Sequence, residues 1–352
     1  MASAAQPVNP STHKSAPGPV RAWIRFLLAA MFFLLARVTA DRSAHGLVRE
    51  DWVPLVQEAM FAFLLLVGYA AFGIALERQH EPVGRQGLSL RLGWPGEAGL
   101  GLAFGWAIAV ACVLPMVVFG GLALHFVFSP IAFAWLAADA AYFAMGTLAL
   151  EIAFRGYPFQ TAIHAVGDLP AALMLAVLFG ISQAWLPGAS HASMGVQIAL
   201  GLLLAMAYLR TRALWLPWGL HFGWVASRAL LFGLPVHGES SHSPVVQGDS
   251  MGSYNLSGGG FGLDGSWVAF VVILVAMPFL YRATRDLSFI YNAPVLEPGG
   301  LAVDLDAAAK RQHEATTRPD QPEIKPLVQI LPISTVAPLP VAQDLDSPRS
   351  DS

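Results

Sequence analysis

Charge is what this sequence has least of. Asp, Glu, Lys and Arg make up 12% of its 352 residues, half the ~25% usual in soluble domains. That deficit excludes an ordinary soluble enzyme, and the 55% hydrophobic content excludes an intrinsically disordered chain. Lys and Arg number 20 against 23 Asp and Glu, a net charge of -3. A nucleic-acid binder of the basic-patch type is therefore excluded as well. Cysteine is all but missing: Cys112 alone cannot build a disulfide scaffold or a cysteine-rich zinc module. What remains is long apolar sequence, with a mean hydropathy of +0.56. The chain reads as an all-α, polytopic transmembrane helix bundle whose first partner is the lipid bilayer.

Crossing the hydrocarbon takes about 20 apolar residues per helix. Eight such segments are expected, near 22–40, 56–76, 98–121, 131–153, 170–187, 195–209, 213–235 and 265–281. The stretch from Glu97 to Asp139 carries no Asp, Glu, Lys or Arg between its ends, and a turn is placed at His125 to Pro130. Arginine supplies an independent check, because positive residues mark cytoplasmic loops. With a cytoplasmic N-terminus, Lys14, Arg21, Arg25, Arg78, Arg85, Arg91, Arg210, Arg212, Arg282 and Arg285 all fall inside. The outer loops at 122–130, 188–194 and 236–264 hold no Lys or Arg, and only Arg42 and Arg49 break the pattern. Both termini are thus expected in the cytoplasm. A rival reading makes residues 1–40 a signal peptide cut after Ala40; the long leader and Arg37 beside the cut argue against it. Residues 1–20 and 286–352 read as disordered, Pro-rich or Ser-rich tails around a transmembrane domain at 21–285.

Polar groups at membrane depth are costly, which makes them candidates for function. Three segments stand out: Leu150-Glu151-Ile152-Ala153-Phe154-Arg155-Gly156-Tyr157, Phe179-Gly180-Ile181-Ser182-Gln183, and the Trp-rich stretch Leu216 to Trp224 around His221. Glu151 and Arg155 stand one helical turn apart and can form a structural ion pair at the cytoplasmic rim. With the three segments in this order, residues 140–228 resemble the CAAX-prenyl-protease and bacteriocin-processing (CPBP or Abi) family. That family's signature runs Glu-Glu-x-x-x-Arg-Gly, Phe-x-x-x-His and His-x-x-x-Asn on separate helices. The resemblance implies a glutamic-type intramembrane endopeptidase, needing no metal or cofactor, in a prokaryotic plasma membrane. It also implies a peptide or a prenylated protein C-terminus as partner. In the family, the first Glu and first His activate water, while the last His and Asn stabilise the oxyanion. Here Glu151, Arg155, Phe179 and His221 are retained. Leu150, Gln183 and Val225 occupy the positions of the first Glu, the first His and the Asn.

The substitutions have physical consequences. A general base must accept a proton; Leu150 cannot, and the Gln183 amide does not titrate. Glu151 points about 100° away from Leu150 around the helix, where Arg155 would aim it elsewhere. Asp139, about 18 Å up the helix axis, is too distant to substitute. Val225 has no oxyanion donor to offer. His221 is either an oxyanion donor or a packing histidine. His164 and His191 read as surface residues, and neither completes a zinc pairing. Trp215, Trp218 and Trp224 read as an interfacial and packing cluster. Two functions stay open: a family member with lost peptidase activity, or an active endopeptidase using Glu151 as base and His221 as donor. A carboxylate and imidazole within about 6 Å in one accessible cavity would favour the second. Gln183 and His221 are expected to share that cavity.

Overall fold

The computed structural model describes residues 18–287 apart from 120, 184, 185 and 187; both expected tails lie almost wholly outside them. Ten α-helices run through this part of the chain: α1 (Pro19–Leu47), α2 (Val53–Glu77), α3 (Trp94–Val118), α4 (Pro130–Arg155), α5 (Tyr157–Val166), α6 (Asp168–Gln183), α7 (His191–Thr211), α8 (Trp215–Ala226), α9 (Tyr254–Ser257) and α10 (Trp267–Ala283). Their starts follow local chemistry. Proline occupies one of the first two positions of α1 to α5, where its missing N–H costs nothing. The Ser129 hydroxyl caps α4 by accepting from the Ala132 N–H. Ser190 and Ser193 form a reciprocal capping box on α7.

Each of the eight expected segments falls on a helix. Among the described residues, five helices are long and apolar enough to cross a bilayer: Pro19–Leu47, Glu50–Glu77, Trp94–Val118, Pro130–Val166 and His191–Thr211. The expectation of eight spans exceeds what helix length supports. α6 and α10 are shorter apolar helices of 16 and 17 residues, and α8 stops after 12 residues and continues as a π-turn, Ser227–Leu231. The reason is local: Gly233 turns the chain at a φ of 61°, so the expected seventh segment ends early and releases a long connection.

Two further departures concern the connections. The expected outer loop at 122–130 contains a strand, β1 (Leu122–Phe126), which pairs antiparallel with β2 (Val246–Ser250) in register Leu122↔Ser250 to Phe126↔Val246. The bundle is thus helical with a small sheet at one end. The connection at 236–264, expected as an outer loop, folds back onto the bundle, and Leu263 and Asp264 within it are fully buried. It forms a cap over that end.

The centre of the bundle is α7, packed against α6 and α10. α3 crosses α8 at close range because both carry glycine at four-residue spacing. Gly101 and Gly105 face the carbonyls of Leu216 and Leu220, while Gly219 and Gly223 face those of Ala98 and Leu102. Without a hydrophobic force between helices in lipid, small residues that let backbones touch supply the contact. This crossing fixes the helix that carries His221.

Candidate functional site

α4 and α8 bring the retained motif residues together in the core. Glu151 Oε1 lies 2.8 Å from His221 Nδ1 and 3.3 Å from an Arg155 guanidinium nitrogen. Arg155 also donates to the Gly201 carbonyl of α7 at 3.0 Å. Phe179 of α6 closes one side: its ring meets His221 edge-on at 5.9 Å, and the Arg155 guanidinium sits 4.8 Å over its face. Because a carboxylate held by Arg155 can only accept, the Nδ1 atom of His221 must carry its proton. The arrangement is therefore an imidazole N–H and a guanidinium donating to one carboxylate oxygen.

Burial corrects the expected position of the ion pair. Glu151 is 0% exposed, Arg155 1% and His221 3%, so the pair lies sealed in the core and not at a wetted rim. Glu151 is not turned away from the motif either: the 100° offset from Leu150 aims it at α8. Its second oxygen, Oε2, is buried without a hydrogen-bond partner among the described residues.

The other expected residues lie around this centre. Leu150 is half-buried and packs against the apolar core, and Val225 is buried on α8 one turn beyond His221. Gln183, half-buried, ends α6. His221 takes Glu151 as its partner through Nδ1, which joins motif one to motif three, and Phe179 of motif two meets the same imidazole edge-on. Asp139 is bound far along α4, accepting from the Ser243 N–H at 2.8 Å and facing His242 at 2.9 Å. His164 and His191 are exposed. Trp215 and Trp218 donate to the carbonyls of Ser89 and Ala144, whereas Trp224 is wholly buried. Among the described residues, no group of three His, Cys, Asp or Glu could hold a metal ion.

A second polar layer escaped the sequence reading. Arg228, in the π-turn, pairs with Asp264 of the cap at 2.6 Å, both side chains essentially unexposed. His237 Nε2 stands 3.3 Å from Asp264 and 3.0 Å from the Gln197 amide of α7. Burial pushes the Asp264 carboxyl up, but Arg228 and His237 together bring it below its usual value. Burial lowers His237, assisted by Arg228 and His221 and opposed by Asp264. Arg228 was the available signal, since it follows His221 by seven residues on the same helical face. Its partners come from a distant loop and left none.

The comparisons bear on the helices that carry the motifs. Residues 132–227 match the family model for type II CAAX prenyl endopeptidases, Rce1-like. No curated protein matches the chain, and no solved structure does. The matched stretch contains Leu150, Glu151, Arg155, Gln183, His221 and Val225 and stops one residue before Arg228.

Proposed function

Taking residues 132–227 as a segment of the Rce1-like CAAX prenyl endopeptidase family, we propose that this integral membrane protein retains the peptidase scaffold without its hydrolytic activity. It would recognise a peptide or a prenylated protein C-terminus and leave it uncut. One observation carries the reading: the retained carboxylate, Glu151, is consumed by Arg155 and His221 in a sealed core. A general base must reach water and accept a proton, and Leu150 and Gln183 offer no titrating group in its place. The test is purified protein in detergent with a prenylated reporter peptide, beside the triple variant Leu150→Glu, Gln183→His, Val225→Asn. Cleavage is expected from the triple variant alone. Turnover by the wild-type protein would overturn the reading.

A second reading has two observations in its favour. Oε2 of Glu151 is free to accept from a water, and the carboxylate–imidazole separation of 2.8 Å is well inside the distance an active pair needs. On that reading Glu151 is the base and His221 the oxyanion donor. Glu151→Gln would then abolish all wild-type turnover.

The arginine-rich end of the bundle is assigned to the cytoplasm, in keeping with the positive-inside rule, and the capped end to the opposite face of a prokaryotic plasma membrane. Single cysteines at Ser241 and at Arg85, introduced in a Cys112→Ala background, should label from opposite sides of sealed vesicles. Labelling of both from one side would reverse or refute the assignment.

A further inference from the structure

The cap is tied to the bundle by charge. Asp264, fully buried at its tip, pairs with Arg228 at 2.6 Å, and the Arg228 guanidinium lies 4.1 Å over the buried Trp224 ring. His237 joins them from the cap's other strap, 3.3 Å from the same Asp264 oxygen and with its ring against Phe261. The strap is strained where it bends: His237 holds a φ of 52°, rare outside glycine, and Gly238 follows at 87°. The cap's return is equally constrained, because a Cβ on Gly258 would meet the Gly262 carbonyl and one on Gly262 the Pro235 carbonyl. His237 is the group within the latch that water reaches, with a quarter of its side chain exposed.

We propose that residues 232–266 are an acid-released cap, latched by Arg228, Asp264 and His237, whose opening admits water to the buried polar core. The charged and titratable groups facing His237 are Asp264 from the cap and Arg228 and His221 from the α8 segment, with the neutral Gln197 on α7. In the closed cap burial favours the neutral imidazole. Protonation places a second cation beside Arg228, and the two compete for the one buried carboxylate of Asp264. The sign follows: burial depresses the closed-state pKa of His237, so closure is favoured above the ordinary histidine range and weakens as pH falls through it. The cap lies outside the family-matched segment, and the proposal stands whether or not the protein cleaves peptides.

The protein carries its own reporter. Cys112, its single cysteine, is fully buried on α3, which packs against the π-turn that carries Arg228. Its rate of reaction with dithiodipyridine, which reports on thiols at acid pH, measures opening in the full-length protein. The expected result is labelling roughly tenfold faster at about pH 5.5 than at about pH 7.5, with helix content by circular dichroism unchanged. His237→Gln keeps the amide contact with Gln197 and should abolish the acceleration. Asp264→Asn should label fast at both pH values. A folded wild-type protein that labels at one rate across this range overturns the proposal, as does acid acceleration that survives in His237→Gln. A folded Asp264→Asn protein that labels slowly removes the latch. Should that variant fail to fold, the wild-type and His237→Gln arms still decide.

Discussion

Arg155→Ala is expected to lower the stability of the purified protein by about 3–5 kcal/mol, the usual cost of removing one partner from a buried ion pair. The two side chains have essentially no exposure, so the discount that applies to exposed pairs does not apply here. Three things are lost together: the charge opposite Glu151, the donor to the Gly201 carbonyl, and the cation over Phe179. For a domain of this size that corresponds to a fall in melting temperature of about 10 °C. Glu151→Gln should cost less, because an amide oxygen still accepts from the guanidinium and from His221 Nδ1–H. Thermal unfolding in detergent by circular dichroism compares the two. An Arg155→Ala protein that melts with the wild type would show that the centre contributes nothing to folding and would leave its burial without a purpose.

Gly105→Val should do comparable damage by a different route. A Cβ at position 105 lands on the Leu220 carbonyl, and its neighbours are the backbone of Gly223 and the Trp224 N–H. A flexible side chain could move aside; backbone cannot, so α3 and α8 must separate. Overpacking of this kind costs about 1–3 kcal/mol when side chains can adjust, and here the upper end of that range is expected. The separation also has a local signature. α8 carries His221, so moving it stretches the 2.8 Å contact with Glu151. The variant should therefore lose most of the stability difference between wild type and His221→Ala, a coupling that a double-mutant cycle reads directly. Additive effects of Gly105→Val and His221→Ala would mean that the glycine crossing does not position the site.

The two large effects draw on information of different origin, and the contrast runs through the whole molecule. That the chain is helical and belongs in a bilayer was legible from its composition alone, because apolar runs of this length have no other way to satisfy their backbone. The i, i+4 spacing of Glu151 and Arg155 was equally legible, since a helix puts such residues on one face whatever surrounds it. The reciprocal glycines of α3 and α8 were visible as letters at four-residue spacing, but which helix they touch was not.

Tertiary structure alone decided the rest. Periodicity along one helix says nothing about the rotation of a second helix against it, so the approach of His221 to Glu151 was suggested only by the resemblance of the motifs, and its direct contact through Nδ1 came from the fold. The same holds for the Gly201 carbonyl, a backbone group that every residue possesses. The cap shows the limit most clearly. Residues 236–264 are polar and rich in glycine, which reads as an outer loop; in the fold they return to the bundle, where Asp264 supplies a carboxylate to the buried Arg228 from 36 residues further along the chain. A lone charge in a sequence states that a partner is required. Only the fold names which one, because a buried charge is stabilised by proximity in space and the sequence records proximity along the chain.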